Sequence, residues 1–143
     1  MQRWKKLILG VITVIIISGF SYAYYLWNKP ARDVSNEKGI RITAVAIFDS
    51  FENNEQAANV SFLNKAIEVS GKVINIKTNQ AGNTVVYLQS DDPVFGVNCT
   101  FKQNPEKIEK GDNIIFKGVC TGYLSDVILN EGILVNNLKN KVQ

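Results

Sequence analysis

Few side chains of this 143-residue chain could do chemistry. There is no histidine, which removes the commonest general base, the commonest metal ligand and any Ser-His or Cys-His pair. The two cysteines, Cys99 and Cys120, are too few for a thiolate-rich metal site. They form no Cys-x-x-Cys motif, so a catalytic dithiol is not indicated either. Asp91, Asp92, Asp112, Asp126 and Glu131 sit mostly at turns, where such residues are ordinary. A calcium loop or an acid/base pair would need a clustering that the sequence does not show. The chain therefore reads as a non-enzyme without a cofactor or a metal.

What is left is binding chemistry. Tyr87, Phe95 and Tyr123 are aromatic rings that could stack on bases or sugars. Lys72, Lys77, Lys102 and Lys117 could form a local cationic patch. The simpler reading of the rings is strand packing. Asn59-Val60-Ser61 and Asn98-Cys99-Thr100 match the N-glycosylation pattern, the second within an expected strand.

The elements that must position these residues begin with an apolar segment. Leu7 to Trp27 is 21 residues without a charge, enough for a helix to span a hydrocarbon core of roughly 30 Å. Trp4 precedes it, and Tyr22, Tyr24, Tyr25 and Trp27 crowd its far end, where interfacial aromatics belong. Arg3, Lys5 and Lys6 stand before it; Lys29 and Arg32 follow, offset by Asp33 and Glu37. That asymmetry sets the N-terminus in the cytoplasm and the rest outside. A signal peptide cleaved after Ser21-Tyr22-Ala23 is the rival, but the apolar run continues past it. The expectation is a single-pass anchor over 1–27, with the remaining domain outside the cytoplasm.

The formal charge of +3 belongs to this segment. Residues 33–143 carry 11 basic and 13 acidic groups. Residues 28–39 read as a polar linker, 40–137 as the folded domain and 138–143 as a tail.

Ile40, Ala44, Ile47, Phe48 and Phe51 share one helical face. Asn53, with Gln56 three residues on, could cap a second short helix over roughly 54–64, burying Ala58, Phe62 and Leu63. From Ala66 the period becomes two. Strands are expected over 66–78, with a bend at Ser70-Gly71, and over 84–90, 94–101, 113–124 and 126–136. Tyr87 and Phe95 then lie on the second and third strands, and Tyr123 near the last turn. Five such strands, with a long third-to-fourth connection, are the layout of an OB-fold barrel; a sandwich or an SH3-like barrel is the alternative. Alternation turns Cys99 and Cys120 inward. The fifth strand separates theirs, so a disulfide would have to cross the interior or one end. Bonded pair and two buried thiols both stand open, since an exported domain permits the bond.

The segments IEVSGKV (67–73), VNCTF (97–101), KGD (110–112) and FKGVCTGYLSDVIL (116–129) resemble the tRNA_anti-like family of bacterial OB-fold proteins. So does the helical lead-in with Phe48, Phe51, Ala58 and Lys65. The likeness covers roughly Ile40 to Val135. It implies an OB-fold akin to anticodon-binding domains, in a family mostly exported or membrane-anchored and without an established activity. With that resemblance, the expected function is a binding module for a protein, a peptide or an envelope glycan, anchored in the bacterial inner membrane with its domain in the periplasm. Nucleic acid is the disfavoured alternative, because residues 65–137 hold seven Lys, no Arg and eight acids, whereas nucleic-acid grooves depend on cations.

Overall fold

The computed structural model describes residues 1–28 and 32–138 and divides the chain into two units, 1–31 and 32–143. Lys29, one of the basic residues read after the span, and nearly all of the 138–143 tail lie outside the described residues. The first unit is the helix α1, Gln2–Trp27. Within Arg3–Trp27 an 18-residue stretch reaches a mean hydropathy of 2.1, and none of it is buried. Length and composition suffice to cross a membrane; a signal sequence meets the same criteria.

The second unit is mainly β. After β1 (Ile40–Thr43) come α2 (Ala44–Asn53) and α3 (Glu55–Phe62). Five long or middling strands follow: β2 (Ala66–Thr78), β3 (Thr84–Gln89), β4 (Gly96–Phe101), β5 (Asn113–Leu124) and β6 (Asp126–Asn137). The sheet order is β1-β2-β3-β4-β6-β5, and β2 also pairs with β5. Closure depends on the bend in β2. Ala66 to Lys72 pair with β5, and Val73 to Thr78 pair with β3. A Cβ on Gly71 would stand 2.9 Å from the Ala44 Cβ and 3.2 Å from that of Leu88. The glycine at the bend therefore admits α2 to the barrel.

The helical stripe begins later than expected. Ile40–Thr43 is a strand parallel to Ile67–Ser70. Its Ile-x-Ile-Thr is β-branched and suits a pleated surface. Thr43 then caps α2, accepting a hydrogen bond from the Ala46 N–H at 3.2 Å. The cap of α3 is Asn54, whose Oδ1 accepts from Ala57 N–H at 3.0 Å, not Asn53. Of its expected buried side, Ala58 is buried, Phe62 partly so, and Leu63 exposed.

Ile47, Phe48 and Phe51 of α2 share one core with Val69, Leu88, Val97, Phe101, Phe116 and Leu129 of the barrel. The helix closes one end, contacting β2, β3, β4 and β6. The stretch read as a linker is, from Arg32 on, a strap on the barrel. Val34 is buried with Ala66 and Val119. Arg32 pairs with Glu37 and donates to the Asn64 carbonyl at 2.7 Å. The buried Lys117 donates to the Ser35 carbonyl at 3.2 Å. That ammonium is thereby spent on holding the strap.

Candidate ligand face on the barrel

Strand alternation divides β3 and β4. Val86, Leu88, Val97 and Cys99 enter the core, so Tyr87, Asn98 and Thr100 take the other face. Register aligns one row across four strands: Asn75, Tyr87, Asn98 and Ile128. A second row is Lys77, Val85 and Thr100. The Lys77 ammonium lies 5.2 Å from the Tyr87 ring centroid, a cation–π distance. The Tyr87 ring is half-buried. Beside it the Asn98 Oδ1 is shielded from solvent and accepts no hydrogen bond. A buried amide oxygen without a donor costs about 1–3 kcal/mol, and a ligand hydroxyl or N–H would relieve that cost. The face is bounded at one side by Asn104, whose Oδ1 accepts from both the N–H and the hydroxyl of Thr84 at 2.8 and 2.9 Å.

Of the six residues expected on a ligand face, the structure brings together Tyr87 and Lys77. Phe95 is not on a strand. The Asp92 carboxylate accepts the N–H groups of Val94 and Phe95, each at 2.7 Å. These donors are taken from the ladder, and β4 starts at Gly96. Tyr123 is part of an aromatic plug, stacked on Phe51 with centroids 5.6 Å apart and edge-on to Phe48 at 6.1 Å. Burial and the carboxylates of Glu52, Asp92, Glu55 and Asp126 push its phenol above the ordinary range. Lys72 lines a separate open cleft of about 450 Å³ at the start of α2, with Ser70, Gln89 and Asp91. Hydrogen bonds from Ser35 hold the Asp33 carboxyl of the strap below its ordinary range, and the Lys102 charge adds a smaller contribution.

Sequence reasoning missed Asn98 as a ligand-facing group. It stood out only as the first residue of a glycosylation pattern. The available signal was its place between the inward Val97 and Cys99, opposite Tyr87.

For the cysteines, the structure has the second of the two readings left open. Cys99 and Cys120 are both in register with Leu129, one from each side of β6. Two strand spacings are roughly 9–10 Å, beyond the roughly 4.4–6.8 Å between disulfide-bonded Cα atoms. Both are buried free thiols. Burial alone raises Cys99 well above the ordinary thiol value, and it raises Cys120 as well. A raised pKa keeps the thiol protonated and unreactive. Both cysteines should resist alkylation in the native protein and react only on unfolding. Dithiothreitol should leave the melting temperature unchanged. Loss of stability on reduction would restore the bond.

A closed five-strand barrel with this order, helix-capped at one end and carrying one added strand, is an OB-fold. The chain belongs to the tRNA_anti-like family, whose model matches residues 1–132, apolar helix included. Its structure is similar to that of a candidate nucleic acid-binding lipoprotein from Klebsiella pneumoniae subsp. pneumoniae: 18% identity, 76% of this chain and 100% of that one, TM-score 0.51. A weaker likeness is to yeast Stn1 and Ten1, with 17% identity, 73% and 66% coverage and a TM-score of 0.46. No curated protein matches the chain. At such identities the likeness is one of fold.

Proposed function

We propose that this protein is a membrane-anchored, non-enzymatic OB-fold binding module, its barrel held at the outer face of the bacterial inner membrane. The observation that carries the reading is the 25-residue helix Arg3–Trp27, which holds an 18-residue stretch of mean hydropathy 2.1 with no buried face. The Thr13 hydroxyl inside it donates to the Leu9 carbonyl at 2.8 Å, as a helix in lipid requires of its polar groups. Arg3, Lys5 and Lys6 before it orient the N-terminus to the cytoplasm. Binding falls to the Tyr87, Asn98 and Lys77 face. A ring, an amide oxygen seeking a donor and an ammonium suit a protein, a peptide or an envelope glycan.

Nucleic acid is the second reading. It is favoured by the description of the Klebsiella lipoprotein as a candidate nucleic-acid binder. It is opposed by charge. Lys77 faces Tyr87, Lys72 lines the α2 cleft and Lys102 lies near Asp33, so the three lysines form no single track. Counterion release needs such a track.

Fractionation and oligonucleotide binding test the reading together. The full chain should resist salt and carbonate washes, and a chain lacking 1–27 should move to the soluble fraction. A mature N-terminus at Tyr24 would remove the anchor. Fluorescent oligonucleotides should bind only weakly at physiological salt. Micromolar affinity with a steep salt slope, lost when Lys72, Lys77 and Lys102 become Ala, would transfer the protein to the nucleic-acid class.

A further inference from the structure

The barrel end closed by α2 has a different character from the Tyr87 face. The β3–β4 loop and the β5–β6 turn are tied together there: the Gly96 N–H donates to the Asp126 carboxylate at 2.8 Å. The α2–α3 joint lies beside them, because Tyr123 stacks on Phe51 and senses Glu52 and Glu55 as well as Asp92 and Asp126. From these two tied segments apolar side chains project into water. Leu124 is 80% exposed, Val94 73% and Phe95 41%. The Val94-Phe95 pair is set by the Asp92 carboxylate. Leu124 is set by the turn at Ser125, which holds a positive φ of 67°. Fixed apolar groups cost less ordering on binding than mobile ones.

The charge around them has one sign. Residues 42–64 contain Asp49, Glu52 and Glu55; residues 78–101 contain Asp91 and Asp92; residues 118–130 contain Asp126. None of the three segments contains a Lys or an Arg.

We propose that this end of the barrel is a docking surface for a basic amphipathic segment of a partner polypeptide. The inference rests on the binding-module reading but uses a surface separate from the Tyr87 face. Leu124, Val94 and Phe95 supply apolar contact, and the carboxylates steer and select. Complementarity determines the occupant. A polyanion such as nucleic acid, or an anionic lipid surface, meets only like charge here. A small cation would satisfy the carboxylates and leave the apolar tips unused.

The test uses the full chain in a nonionic detergent, with empty micelles as reference. The probe is a labelled synthetic Lys/Leu amphipathic peptide, compared with its Glu/Leu counterpart. The Lys/Leu peptide should bind and the Glu/Leu peptide should not. Affinity should fall as salt rises. The double change Leu124→Ser, Phe95→Ser should weaken binding about tenfold. Glu52→Gln and Glu55→Gln should each weaken it about twofold at low salt. Val135→Ser and Glu131→Gln, away from the tips, should leave it unchanged, as should Tyr87→Ala. Asp92 and Asp126 are spared because they hold backbone N–H groups. No binding, equal binding of both peptides, or binding indifferent to Leu124 and Phe95 would overturn the proposal. So would full competition by a simple polyamine at the ionic strength matched with NaCl. Binding that is lost with Tyr87→Ala instead would overturn this docking surface while leaving the binding-module reading intact.

Discussion

Gly132→Ala is expected to destabilise the folded domain by about 3 kcal/mol, at the upper end for overpacking. A methyl group at Gly132 would fall within the Phe116 ring, 2.6 Å from its Cε1 and closer still to its tip. The ring cannot retreat. It is fully buried, packs edge-on to Phe101 with centroids 4.9 Å apart and covers Gly118, whose added Cβ would also lie 2.6 Å from Cε1. Gly118 and Gly132 therefore form a socket for one aromatic side chain. The check is a double-mutant cycle by urea denaturation with Phe116→Leu, which shortens the side chain. Relief of the clash should make the double variant more stable than the two single effects add up to. Strict additivity, or a Gly132→Ala variant within about 0.5 kcal/mol of the parent, would show that the socket has room.

Phe51→Ala should cost about 3–5 kcal/mol, a large part of the roughly 5–15 kcal/mol that holds a domain. Phe51 is buried at the centre of the plug, between Tyr123 at 5.6 Å and Phe62 at 6.0 Å. Its loss leaves a cavity where α2 closes the barrel, and Tyr123 loses its stacking partner. Tyr123→Ala should fall near the same range. Tyr87→Ala, on the outer face, should cost about 1 kcal/mol or less, the usual scale away from the core. Thermal melts of the three variants rank them directly. A cheap Tyr123→Ala beside a costly Phe51→Ala would mean that the Tyr123 ring is available to a ligand after all.

The strands were legible because alternation is strong where one face is buried. The bounds of β2 and β5 match those read from the residues, and β6 ends within one residue. What failed was local. Ile40 satisfied both a helical spacing and a strand pattern, and only its pairing with Ile67 decides between them. Phe95 depended on which acceptor takes its N–H, a matter of the Asp92 side chain. The strap was hidden because polar composition suggests a linker. Its one apolar anchor, Val34, gains meaning only from Ala66 and Val119, distant in sequence. The candidate site was half visible. Tyr87 and Lys77 lie on adjacent strands, within reach of a register argument. Separating Tyr123, Lys72 and Lys102 from them required the three-dimensional fold.

The four residues of β1 bear on self-association. Where β2 swings away from β3 toward β5, its first half would present bare N–H and C=O groups along one side. Ile40–Thr43 occupies that side, in register with Ile67–Ser70. An unpaired edge is a template for strand addition by another chain. The barrel thus carries its own guard strand, short and bearing the exposed Arg41, which pairs with Glu68 at 3.1 Å. A fragment begun after Thr43 would keep every barrel strand and yet expose a sticky seam. Such a fragment should oligomerise at concentrations where a chain begun at Arg32 stays monodisperse.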